Sequence, residues 1–168
     1  MRWRKSPSSG PGTLTTDGRS ITDLILLLPT DRLQFDFSRR FLLSLKNAIG
    51  PTPKINIIMV GRAEVGNLFN LENFDRFLLY SESDLNKWGY PRKELQDHLD
   101  QIKGDACFDL NQEFSPEALV VSTMIQAPVR IGFFSEDTED YYNILIQINQ
   151  SDPLQAGVRE LLQLLGIE

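Results

Sequence analysis

Short apolar runs alternate along this chain with segments whose apolar positions recur every three or four residues. The runs suit strands buried on both faces, which lack the polar alternation of a half-exposed strand. They occupy residues 23–29 (DLILLLP), 54–61 (KINIIMVG), 75–81 (DRFLLYS), 105–110 (DACFDL), 129–134 (VRIGFF) and 141–148 (YYNILIQI). Helical spacing is found at residues 35–50, 90–104, 115–126 and 151–166.

Residues at the ends of these segments support the division of the chain into strands and helices. Gly50 and Pro51 stop the first helix, and Ser115 followed by Pro116 starts the third. Strands separated by helices form right-handed βαβ units, which close into a parallel sheet covered on both faces. The pattern therefore predicts an α/β, three-layer, Rossmann-like fold with a mostly parallel sheet of five or six strands.

Composition separates a tail from one domain. Residues 1–19 are rich in Ser, Gly, Pro and Thr and carry a net charge of +3, which indicates a flexible basic tail. The whole chain of 168 residues has a net charge of −6, so residues 20–168, which form the predicted domain, have a net charge of −9. A body this acidic argues against nucleic acid as a partner.

Localisation and metal chemistry follow from what the sequence contains. The single cysteine, Cys107, excludes an intrachain disulfide, and with one histidine, His98, no metal site is predicted. We find no transmembrane segment and no signal peptide, so we expect a cytoplasmic protein.

Ligands of such sheets bind beyond the carboxyl ends of the strands, where the strand order switches. The candidate ligand-binding residues at this edge are Thr30, Asp31, Arg62, Asp109 and Asn111. A phosphate loop is not among them, because GRAEVGNL (61–68) has Asn and Leu where Lys and Ser or Thr are required. Its two glycines indicate a flexible loop, and no cofactor is predicted. For Asp109 and Asn111 an Asx turn is the structural alternative.

The stretch GDACFDLNQEFSPEALVVSTMIQAPVRIGF (104–133) resembles the acceptor-side domain of family 9 glycosyltransferases, the ADP-heptose:lipopolysaccharide heptosyltransferases. The strand ending in Asp109-Leu110, a helix of small and apolar residues, and then APVRIGF follow the family's order. The resemblance covers residues 21–142. It implies the N-terminal half of a GT-B glycosyltransferase, in which a second Rossmann-like domain holds the nucleotide sugar.

The catalytic loop departs from that family. Members carry Gly-Asp in the first loop, where the resemblance implies that the aspartate is the catalytic base, whereas this chain has PTDRLQFDF (29–37). Asp31 and Asp36 are the candidate bases. Each also has a structural interpretation, Asp31 as a turn residue or helix cap and Asp36 as an acid in the first turn of a helix. The chain also ends one helix after the sixth strand, where the second domain of a member would begin.

Arg130 and Gly132 are predicted to be structural. Arg130 starts a strand and so lies at the amino edge, where its guanidinium can bind the terminal carbonyls of a neighbouring helix or pair with a carboxylate. Gly132 is expected to let a helix pack closely on the strand.

Three functions are compatible with these observations. The first is a non-catalytic, heptosyltransferase-like module that binds a protein or a sugar-bearing molecule. The alternative is the acceptor-binding half of a glycosyltransferase that needs a separate nucleotide-sugar-binding domain or subunit. A third is a self-associating structural module, which predicts a homodimer.

Overall fold

The structure is a computed structural model that describes residues 21–50, 55–147 and 152–164. The predicted tail, residues 1–19, lies outside the described residues. Within them are six strands: β1 (Asp23–Leu27), β2 (Asn56–Arg62), β3 (Arg76–Tyr80), β4 (Ala106–Asp109), β5 (Val129–Phe133) and β6 (Ile144–Ile146). The helices are α1 (Phe35–Ile49), α2 (Ala63–Gly66), α3 (Lys93–Asp100), α4 (Pro116–Met124) and α5 (Pro153–Leu164). Short 3-10 turns occupy Arg32–Gln34, Leu71–Asn73 and Glu82–Asp84.

All six strands are parallel and stand in the order β3-β2-β1-β4-β5-β6. The order reverses between β1 and β4, as in doubly wound nucleotide-binding sheets. This confirms the predicted Rossmann-like fold. The carboxyl ends of β1 and β4 are therefore the switch point that positions a candidate site.

Two apolar layers hold helices against the sheet. On one face, α1 and α5 bury an aromatic cluster in which the Phe41 and Phe108 ring centroids lie 5.1 Å apart. On the other face, α3 and α4 cover Ile25, Val60 and Cys107. Both faces of the central strands are buried, which explains why their sequences show continuous apolar runs.

Some element bounds differ from the sequence expectation. The helix expected at 90–104 extends only over Lys93–Asp100, and the strand expected at 141–148 only over Ile144–Ile146. Pro91 forms an isolated bridge with Leu85 before α3 begins, which takes the preceding residues out of the helix.

The glycines of GRAEVGNL do not form the expected flexible loop. Gly61 lies within β2 and Gly66 within α2, and neither has a positive φ. A Cβ at Gly61 would lie 2.7 Å from Cβ of Leu28, and one at Gly66 would collide with the side chain of Leu79. These glycines therefore permit close packing.

Candidate functional site at the carboxyl edge

Asp109 and Asn111 lie at the switch point and are joined to each other. Asp109 Oδ1 accepts hydrogen bonds from the Asn111 backbone amide at 2.9 Å and from Asn111 Nδ2 at 2.6 Å. Asn111 Oδ1 in turn accepts the amide of Thr30 at 3.0 Å, and the Thr30 hydroxyl lies 3.0 Å from Ser115 Oγ. The structure thus brings three predicted site residues together, in a network that ties the end of β1 to the end of β4 and to α4.

Tyr142 completes this network from the segment between β5 and β6. Its hydroxyl donates to Asp109 Oδ2 at 2.5 Å. Asp109 is 6% exposed, and burial raises the pKa of its carboxyl even though the hydrogen bonds from Tyr142 and Asn111 act against that rise. Burial and the nearby carboxylate also raise the pKa of Tyr142 well above its ordinary value. The oxygens of Asp109 point into the protein, which makes it a structural carboxylate in this conformation.

Arg62, the predicted cation of this edge, is bound to a carboxylate within the chain. Its Nε and Nη2 donate to the two oxygens of Glu117 at 2.8 and 2.6 Å, and Nη1 lies 3.3 Å from Glu64. Tyr80 donates its hydroxyl to the same Glu117 at 2.9 Å. The hydrogen bonds to Glu117 hold the pKa of Arg62 above its usual value, while burial, and then Glu117, raises that of Tyr80.

The two candidate bases are exposed, and neither forms a hydrogen bond with Asp109, Asn111 or Thr30 within the described residues. Asp31 caps the turn Arg32–Gln34 by accepting the Leu33 amide at 2.9 Å. Asp36, in the first turn of α1, forms ion pairs with Arg39 and Arg40 at 3.0 and 3.2 Å. Both therefore have the local contacts of their structural interpretations.

Arg130 and Gly132 are placed by β5. The Arg130 guanidinium donates to the carbonyls of Ser122 and Ile125, at the end of α4, with Nη2 2.6 Å from the Ile125 oxygen. The group that lies over Gly132 is the ring of Tyr142 instead of the expected helix. A Cβ there would lie 2.8 Å from that ring, because the β5–β6 connection folds back to reach Asp109.

Sequence reasoning missed three residues of the carboxyl edge: Tyr80, Glu117 and Tyr142. Tyr80 is the last residue of β3, so the strand-end rule could have found it. Glu117 reads as a first-turn acid, and its partner lies 55 positions away in the chain. For Tyr142 the sequence carries no signal, because the path of the β5–β6 connection decides its contact.

A groove of about 740 Å³ lies at the opposite, amino edge of the sheet. The ends of α3 and α4 line it, together with Pro128, Arg130 and Tyr141.

Among the described residues, no group of three or more His, Cys, Asp and Glu could hold a metal ion. In the same part of the chain, no helix has the length and apolar character needed to cross a bilayer.

The fold is similar to that of half of each of several solved glycosyltransferases. The E. coli heptosyltransferase WaaC, solved with ADP-2-deoxy-2-fluoro heptose and with ADP, superposes with a TM-score of 0.68 in both cases, at 15% identity. A family 9 glycosyl transferase from Veillonella parvula superposes with a TM-score of 0.60 at 14% identity. The superpositions cover 88% of this chain but 49%, 48% and 42% of those chains. The chain thus spans about half the length of the solved structures that it matches. The family 9 resemblance is therefore supported at the level of the fold.

The chain belongs to the family of unknown function DUF6913, whose model matches residues 38–167. No curated protein matches the sequence.

Proposed function

We propose that this chain is a non-catalytic binding module built on the acceptor-side half of a glycosyltransferase fold. Its partner would be a protein or a sugar-bearing molecule that it holds without nucleotide chemistry. The proposal depends on how the carboxyl edge, where such folds bind ligands, uses its polar side chains.

The bidentate pair between Arg62 and Glu117 carries the proposal. A phosphate needs free donors, and an arginine is well suited to supply them because its fork matches the oxygens of a phosphate. Here the fork is already matched by Glu117, and the side chains of Arg62 and Glu117 are only 22% and 15% exposed. A diphosphate would have to displace a partly buried carboxylate and would leave it without its cation, which is costly.

The switch-point network supports the same conclusion. Asp109 and Asn111, the two predicted ligand residues at the end of β4, are both 6% exposed and bonded to each other. Their polar atoms stabilise the junction of β1, β4 and α4. An acceptor sugar would find their hydrogen bonds already made.

Calorimetric titration of the chain with ADP and with an ADP-sugar tests this function. We expect no saturable heat at ligand concentrations up to about 1 mM, the range of very weak binding. The matched variant Glu117→Gln releases Arg62 from its counter-charge. Weak ADP binding that appears only in this variant would support the proposal, because it would show that Glu117 occupies the phosphate-binding fork. Saturable binding by the unsubstituted chain that is lost in Arg62→Met would overturn it.

The alternative is the acceptor-binding half of a transferase, favoured by the superposition of 88% of this chain on WaaC. It predicts sugar transfer when a separate nucleotide-sugar-binding domain is supplied, with Asp31 or Asp36 as the base. Transfer from a labelled ADP-sugar that is abolished by Asp31→Asn or Asp36→Asn would favour this alternative. Transfer that survives both substitutions would exclude these two carboxylates as the base.

A further inference from the structure

The outer edge of β3 carries a hydrogen-bonding ladder that no strand of the described chain completes. The sheet order places β3 at one end, with β2 on its inner side. The Asp75 amide donates to the Ile57 carbonyl, so residues 75, 77 and 79 face β2. Because backbone groups alternate in direction along a strand, the amides and carbonyls of Arg76, Leu78 and Tyr80 are directed away from β2. Tyr80 is only 2% exposed, so the accessible part of this edge is at Arg76 and Leu78.

Bare strand edges are normally shortened, bulged or blocked by charges, because they invite pairing with another chain. Of the three outward residues of β3, only Arg76 is charged, and it lies at the start of the strand. Phe77 beside it is 50% exposed, and Leu78 is half-buried. The accessible part of this edge, from Arg76 to Leu78, is therefore able to pair with another strand.

We propose that β3 pairs antiparallel with β3 of a second copy of this chain, across a two-fold axis at Leu78. In this register Leu78 exchanges backbone hydrogen bonds with Leu78 of the second copy. Arg76 lies opposite Tyr80, whose buried backbone has to be uncovered before that pair forms. Phe77 then faces Leu79 on the side of the sheet where α2 packs, which covers its exposed half. The two sheets become one continuous sheet, and the interface is isologous as a two-fold requires.

Charge complementarity selects a second copy as the partner. Arg76 and Glu82 are both exposed, and neither forms an ion pair within the described residues. They flank the axis on opposite sides, Arg76 two residues before Leu78 and Glu82 four residues after it. The two-fold brings Arg76 of each copy beside the turn Glu82–Asp84 of the other, diagonal to Tyr80. Two opposite-charge contacts form at once, and this symmetry is what a homodimer supplies.

Sedimentation of the full chain over a range of concentrations tests the charge contact. We expect a dimer whose Kd rises about tenfold in Arg76→Glu, because like charges then meet at both ends of the ladder. The exchanged variant with Arg76→Glu and Glu82→Arg restores opposite charges and should recover most of the affinity. Arg159→Glu, an exposed arginine on α5, is the matched control and should leave the Kd unchanged.

Cysteine cross-linking tests the register independently of the charges. At a hydrogen-bonded antiparallel pair the Cα atoms lie about 5.5 Å apart, within disulfide range. Leu78→Cys should therefore form a disulfide-linked dimer on mild oxidation. Phe77→Cys is the matched control, since it is more exposed but would face its own copy only diagonally, at about 7–8 Å.

A chain that stays monomeric at high concentration would overturn the proposal. So would a dimer indifferent to Arg76→Glu, or Phe77→Cys cross-linking as readily as Leu78→Cys. Far-UV circular dichroism checks that each variant is folded. If Arg76→Glu proves unfolded, the two cysteine variants decide the question.

Discussion

Asp109 is a buried carboxylate whose oxygens accept hydrogen bonds from Asn111 and Tyr142. Burial raises its pKa, so the folded chain holds this proton more tightly than the unfolded chain does. Between the ordinary pKa of an aspartate and the raised one, the folded state binds more protons. The free energy of unfolding therefore decreases as pH rises through this window and increases again on acidification.

The variant Asp109→Asn tests the direction of this change in the free energy of unfolding with pH. Asparagine retains the shape and one acceptor oxygen but cannot ionise. We expect urea denaturation to show the unsubstituted chain gaining stability relative to Asp109→Asn as pH falls from about 8 towards about 4. Other carboxylates contribute equally to both proteins and cancel in the difference. A difference that is constant with pH would mean that Asp109 does not titrate in this window.

The strand-end rule predicted where these side chains lie but not which way they point. It placed Thr30, Asp109 and Asn111 at one edge, and the structure joins them there. Whether a carboxylate faces solvent or the interior depends on partners far away in the sequence. Tyr142, 33 residues from Asp109, decides it here, and the local pattern around either residue carries no trace of that contact.

At the scale of the element, α4 is held at both ends. Ser115 caps its amino end by accepting the Ala118 amide at 3.2 Å, and Glu117 in its first turn binds Arg62. At the other end Arg130 donates to the Ser122 carbonyl, which also accepts the Ile125 amide at 3.3 Å, and to the Ile125 carbonyl, which lies past the end of the helix. A nine-residue helix this short depends on such contacts, because propensity alone does not stabilise it.

Removing the carboxyl-terminal contact should therefore loosen α4. Arg130→Met retains the length of the side chain but removes the guanidinium from both carbonyls, which leaves Ile125 without this donor and Ser122 with only the Ile125 amide. We expect the free energy of unfolding to fall by about 1–3 kcal/mol, the range for buried groups left unsatisfied. Urea denaturation followed by circular dichroism measures the change. Arg130→Lys keeps the positive charge but not the forked donors. Its free energy of unfolding should lie between those of the unsubstituted chain and Arg130→Met.

The control for this prediction is Arg159→Met on α5, an exposed arginine whose loss should change stability little. An Arg130→Met protein as stable as the control would show that water satisfies the carbonyls of α4 equally well.

The position of Arg130 at the start of β5 could be read from the sequence, and so could its geometric reach to a helix end. The sequence did not show which helix ends beside Arg130, because that depends on β4 and β5 being neighbours in the sheet.

At the scale of the whole molecule, alternation of apolar runs and amphipathic segments was enough to predict a parallel three-layer fold. The order of the strands was not predictable from that alternation. It follows from which faces of α1, α3, α4 and α5 find a partner, and those contacts are long-range. The residues of β1 and β4 are mostly buried, which agrees with the central position of these strands. In contrast, β3 begins with the exposed residues Arg76 and Phe77, as expected of an edge strand.

Central and edge strands should differ in hydrogen exchange. Amides of β1 and β4 bond to strands on both sides and should exchange only by large-scale unfolding. In a monomer the outward amide of Leu78 would face solvent and exchange quickly, while the Phe77 amide, directed at β2, would be protected.

Pairing between two copies changes this prediction at one edge only. The Leu78 amide should become protected as protein concentration rises, and the protection should be lost in Arg76→Glu. Amides of β6, the opposite edge, should not respond to concentration, because the proposed axis lies at β3. Residue-resolved exchange at two concentrations measures both edges in one experiment. Concentration-dependent protection at β6 with none at Leu78 would place the self-association surface on the other side of the sheet.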